Sequence, residues 1–129
     1  MLQRLNVPDL AQPPGYAHVV VASGTRVVMT AGAVPLDAEG NLVGAGEVRA
    51  QARQTLDNLM RQLAAVGATG EDVLKTTVYV ASTDRADLVA CWEEVQQSPI
   101  AAVASTLLGV ALLGYAGQLV EIEAIAVLS

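Results

Sequence analysis

Two carboxylates, Glu121 and Glu123, stand two residues apart within residues 118–129, a stretch that is otherwise largely apolar. In an extended strand side chains alternate, so Leu119, Glu121, Glu123, Ile125 and Val127 share one face, and Val120, Ile122, Ala124 and Ala126 the other. The second face is small and apolar, suited to lie under helices. The first must meet water, a partner chain or a ligand, because an unpaired buried carboxylate is very costly. A carboxylate facing a ligand can orient or deprotonate a water, whereas one on a solvated sheet face does no chemistry.

Other reactive side chains are sparse. His18, the single histidine, is of the residue type most often used as a general base, but no serine or cysteine adjoins it. The alternative is a strand residue with its ring at a surface or interface. Cys91, the single cysteine, falls on the apolar stripe of a helix beside Trp92, where an inert buried thiol is the default. One histidine and one cysteine cannot assemble a metal site from the usual ligands. The 11 glycines form neither GxGxxG nor a P-loop, so no cofactor or metal is expected.

The elements that must position these residues follow from periodicity. Val19–Ala22 and residues 27–30 are β-branched runs separated by Ser23, Gly24, Thr25 and Arg26, which predicts a hairpin. Residues 35–46, with Asp37, Gly40, Asn41 and Gly44, read as a loop. Val48, Ala52, Leu56, Leu59, Leu63 and Val66 then draw one stripe down a helix, stopped by Gly67. Val73–Val80 is a strand with Lys75 and Thr77 on one face. Ser82, Thr83 and Asp84 offer N-caps for a second helix to about Gln97, burying Leu88, Cys91, Trp92 and Val95. Pro99 closes it, and residues 104–110 and 119–128 form the final pair of strands, with Gly114, Tyr115, Ala116 and Gly117 as the turn between them. The order ββαβαββ predicts an α+β domain, one mixed sheet with two helices on one face.

A length of 129 residues fits one domain, 1–129. The chain is 53% hydrophobic and only 16% charged, and excess apolar surface on so small a domain implies burial between subunits. A net charge of −6, with basic residues scattered from Arg4 to Arg85, argues against a nucleic-acid partner. One cysteine rules out an internal disulfide and suits a reducing cytoplasm. Residues 100–116 approach the about 20 apolar residues of a membrane span, but Pro99, Ser105, Thr106, Gly109, Gly114 and Gly117 and the lack of basic flanks oppose it. No signal peptide is expected, since Asn6, Pro8 and Asp9 stand where an apolar run would be.

Six segments, in order, carry a resemblance: Pro14-Gly15-Tyr16 before a strand; Thr30-Ala31-Gly32-Ala33-Val34-Pro35-Leu36-Asp37; Asn41-Leu42-Val43-Gly44; the helix from Ala50 through Leu59; the strand from Asp72 through Val80; and the strand from Val120 through Val127. Together they resemble the RidA (YjgF/YER057c/UK114) family, whose best-known members are enamine/imine deaminases. The resemblance implies a chorismate-mutase-like fold and a homotrimer whose sheets pack into a central barrel, with small-molecule sites in the clefts between subunits. By the same resemblance Glu121 is the carboxylate that positions the attacking water, Tyr16 is the aromatic contributed by a neighbouring subunit, and Ala31 and Gly32 line the substrate. Some family members carry an endoribonuclease label, which the acidic balance here does not support.

The chain departs from the family at the arginine that clamps the substrate carboxylate upstream of the glutamate. Anchoring on Gly109-Val110-Ala111 puts Ser105 there, with Thr106 beside it, and no Lys or Arg follows Arg85. A hydroxyl does not replace a desolvated charge clamp worth about 2–5 kcal/mol. The family's glutamine after the glycine is Ala33 here, and a polar position of its second helix is Ala90. Two readings therefore stand: a divergent hydrolase acting on C=N bonds of a neutral or cationic ligand, or a non-catalytic ligand-binding or scaffold trimer.

Overall fold

The stripe read from the sequence becomes helix α1, Val48–Ala64, in the computed structural model, which describes residues 2–129. Ala52, Leu56, Leu59 and Leu63 are buried on it, each large side chain contributing about 1.5–3 kcal/mol. The helix ends where Gly67 turns left-handed, with φ of 77°, and the Ala68 N–H returns to the Leu63 carbonyl at 2.9 Å. Gln51 and Thr55 are buried on the same face, which an apolar stripe does not announce. Helix α2, Arg85–Gln96, starts at Asp84, whose carboxylate accepts the Ala86 N–H at 2.9 Å. It buries Cys91 and Val95, while Leu88 and Trp92 stay half-buried.

The described residues form six strands: β1 (Leu2–Leu5), β2 (Val19–Ala22), β3 (Arg26–Met29), β4 (Val73–Val80), β5 (Ala104–Gly109) and β6 (Val120–Leu128). The main sheet runs β3-β6-β4-β5, with β4 and β5 parallel and the other pairs antiparallel. The chain is thus an α+β domain with two helices and a mixed sheet, as expected. Val78, Val80, Val120, Ile122, Ala124 and Ala126 form the sheet's contribution to the core under the helices.

Three details of the sequence reading are corrected. Residues 19–30 do not form a hairpin: β2 pairs with β1 in a separate two-stranded sheet, and β3 pairs with β6. The sheet is therefore not single, because the polar N-terminal segment supplies a strand that carried no apolar alternation. The last two strands are not partners either, since β4 lies between them. The other face of the main sheet is bare, leaving Val27 and Met29 68% and 74% exposed.

Candidate functional site

Tyr16 is fixed by backbone. Gly15 is left-handed, with φ of 91°, and its carbonyl accepts the Ala102 N–H at 2.8 Å, while the Ala17 N–H reaches the Val103 carbonyl at 2.9 Å. The Pro14 carbonyl is held at 2.9 Å by both the Trp92 indole N–H and the Gln96 amide. These ties lay the Tyr16 ring edge-on to Trp92, with centroids 6.2 Å apart. Pro14, Tyr16, Trp92, Ser105 and Leu107 line a cavity of about 230 Å³, and none of them carries a formal charge. Ser105 is half-buried there and its Oγ accepts the hydroxyl of fully buried Thr76 at 2.7 Å. The Ser105 proton is then available to a ligand.

Glu121 belongs to a different part of the chain. Residues 30–33 run alongside β6: the Thr30 N–H donates to the Ala124 carbonyl and the Ala124 N–H to the Thr30 hydroxyl, both at 3.0 Å, and the Ala33 N–H meets the Ile122 carbonyl at 2.7 Å. That register puts Gly32 against the Glu121 carboxylate, so closely that a Cβ at position 32 would overlap Oε2. The other carboxylate oxygen, Oε1, accepts the Gln118 amide at 3.0 Å. Ala31 is exposed beside Gly32, its carbonyl taking the Gln62 amide at 3.3 Å.

On the same bare face Tyr79 lies directly opposite Glu121, and Thr77 opposite Glu123. Burial pushes the Tyr79 phenol up from its ordinary value, helped by the charge and hydrogen bond of Glu123 and then by the charge of Glu121. Tyr79 therefore keeps its proton at neutral pH. Lys75 donates to the Thr106 hydroxyl at 2.6 Å on this face.

Strand register decides which of these residues meet. Ser105 pairs with Thr76 and Glu121 with Tyr79, an odd separation along β4, so Ser105 and Glu121 face opposite sides of the sheet. Thr106 shares the face of Glu121 and points away from Ser105. Tyr16 joins Ser105, and Gly32 joins Glu121, while Ala31 is exposed and tied to Gln62 of α1. Within one chain five of the six sequence candidates thus form two half-sites.

The endoribonuclease L-PSP family model matches residues 9–128. The chain belongs to the Rid (RidA/YjgF) family. A Rid-family protein of unknown function from Yersinia pestis, YyfB, superposes with a TM-score of 0.87 at 33% identity, covering 98% of both chains. TdcF of E. coli, solved with bound serine, superposes at 0.69 with 26% identity, covering 100% of this chain and 98% of that one. The 2-iminobutanoate/2-iminopropanoate deaminase of Salmonella typhimurium is 43% identical over 54 residues, 42% of this chain and 41% of that one. The chain spans about half the length of the curated relatives it matches, from 41% to 61%.

Two reactive side chains, weighed from residue type alone, lie outside this geometry. His18 accepts the Val7 N–H on Nδ1 at 2.9 Å and stacks edge-on to Tyr16, a packing role. Cys91 is buried, and burial, with the charge of Glu94 behind it, pushes its thiol up to about 12. No helix among the described residues is long and apolar enough to cross a membrane. Sequence reasoning missed Gln118, Thr76 and the exposed edge of Trp92. A glutamine just ahead of an apolar strand was the visible signal for the first; the other two looked like ordinary strand and helix interior.

Proposed function

We propose that this chain is a cytoplasmic Rid-family hydrolase of C=N bonds, working in inter-subunit clefts of a homotrimer on a small substrate without a carboxylate. The observation that carries the reading is the split site: a bound and oriented Glu121 on the bare face, and an uncharged aromatic cavity at Tyr16, Trp92 and Ser105 on the other. Packing a neighbour against the bare face, where Val27, Met29 and Leu108 are exposed, would bring one chain's Glu121 to another chain's cavity. The name of the Salmonella relative supports imine chemistry. Glu121 then orients a water toward the imine carbon. The C–O bond forms, the C–N bond breaks, and a ketone or aldehyde and ammonia leave. Tyr16 and Trp92 bracket the substrate, Ala31 and Gly32 line it, and Ser105 donates to it; Thr106 lies at the bare-face interface. A bound carboxylate would meet no cation in this cavity, unlike in a clamped site.

The missing cation also favours a second reading, a trimer that holds a metabolite without turnover. One assay separates them. Imines are generated in situ from amines and from amino acids, and their decay is followed with wild type, Ser105→Arg and Glu121→Gln. Trp92, the only tryptophan, reports occupancy of the cavity by its fluorescence. Faster decay of amine-derived imines, lost in Glu121→Gln, is the expected result. Binding without decay in any variant makes the chain a binder. Decay of amino-acid imines by the wild type alone would sink the carboxylate-free substrate.

A further inference from the structure

We propose that Gln118 is the positioning residue for the Glu121 carboxylate, fixing Oε1 so that Oε2, over Gly32, is the oxygen that handles water. The proposal rests on the reading of Glu121 as the water-orienting group. Gln118 is 3% exposed, a position where an apolar side chain would be the simpler choice. Its amide is instead fully used. One Nε2 hydrogen goes to the Val120 carbonyl and the other to Glu121 Oε1, both at 3.0 Å, and Oε1 of Gln118 accepts the Tyr115 N–H at 3.1 Å. The two backbone partners settle which end of the amide is nitrogen, because a backbone N–H can only donate and a carbonyl only accept. Flipping the amide, or turning it away, would take their side-chain partner from the Tyr115 N–H and the buried Val120 carbonyl.

The segment carrying Gln118 has no slack. Its own N–H bonds the Tyr115 carbonyl at 3.0 Å. Its neighbours Gly117 and Leu119 are both held by Gln51, fully buried on α1, at 3.0 and 2.7 Å, and Gln51 also bonds the Gly44 carbonyl at 3.1 Å. Glu121 is therefore tied, through two buried glutamines, to the most regular element of the fold. With Gly32 closing one side and Gln118 the other, the carboxylate has a single orientation rather than a rotor's range.

Two measurements test this. In Glu121→Ala, the NMR signal of one Gln118 Nε2 hydrogen, the one aimed at position 121, moves and exchanges faster with solvent, while its partner aimed at Val120 stays. In Gln118→Met, the kcat of imine hydrolysis falls about 10- to 100-fold with KM within about twofold, and adding Gln118→Met to Glu121→Gln causes little further loss. Unchanged Gln118 amide signals in Glu121→Ala would overturn the proposal, as would Gln118→Met losses confined to thermal stability. The amide signature needs no turnover, so it decides the positioning role even if the chain proves to be a binder.

Discussion

The Glu121 carboxylate fills the space that a side chain at Gly32 would need, so the glycine is chosen by the carboxylate and not by its own backbone. Gly32 does not sit in the left-handed region that penalises other residues. In Gly32→Ala the cost therefore falls on Glu121, which must swing off its site. Imine turnover should drop about 100-fold, since a displacement near 1 Å is enough for that, while the thermal midpoint changes little. Gly40→Ala is the counterpart: open space surrounds that position but its φ is +85°, so the substitution costs about 1–2 kcal/mol and leaves turnover alone. Equal activity losses in the two variants would refute this division.

Thr76 and Ser105 form a hydroxyl pair that bridges the core and the cavity. Ser105→Ala leaves the Thr76 hydroxyl buried without its acceptor, at about 1–3 kcal/mol. Thr76→Val with Ser105→Ala removes both partners and should recover most of that stability. A double-mutant cycle by denaturant unfolding reads the coupling. Additive losses would mean that the bond contributes nothing.

Much of this arrangement was legible in the sequence because alternation and helical spacing are local. The apolar and carboxylate faces of β6 came directly from residues 119–127, and the stripe from Ala52 to Leu63 lies buried on α1. What failed was pairing. The turn-rich residues 23–26 suggest a hairpin, yet which strand lies beside β3 depends on β6, about a hundred residues away. The same gap hid the split of the site. Ser105 and Glu121 look like neighbours in an ordered list of motifs, and only the register across β4 shows them on opposite faces. Gln118 was hidden for a different reason: two of its three side-chain partners are backbone groups, which carry no residue type to recognise.

Glu94, 8% exposed on α2, receives Arg53 at 2.8 Å and Arg49 at 3.0 Å from α1, and Arg49 also reaches Glu93 at 2.6 Å. The Arg53 hydrogen bond leads in holding the Glu94 carboxyl below its ordinary range, against burial, which pushes it up. The folded state thus binds the proton less readily than the unfolded chain. The contribution is complete above the unfolded value near 4.5 and is lost as pH falls through the lower folded value. Glu94→Gln should cost about 1–2 kcal/mol at pH 7 and show a flatter decline of Tm between neutral and acid pH than wild type. Parallel Tm curves for the two proteins would contradict it.

Cys91 offers a way to watch that α1–α2 contact open. Burial holds its thiol at about 12, so at pH 8 only roughly one part in ten thousand is thiolate even before access is considered. A disulfide reagent such as DTNB should label the native protein very slowly and the guanidinium-unfolded protein at once. Where opening is fast relative to labelling, the native rate follows the population of the open form. Glu94→Gln should then accelerate labelling by the same factor by which it lowers stability, about 5- to 30-fold for 1–2 kcal/mol. Rapid stoichiometric labelling of the wild type would instead place the thiol at the surface. An unchanged rate in Glu94→Gln, alongside a lower Tm, would show that the region around Cys91 opens independently of the arginine clasp.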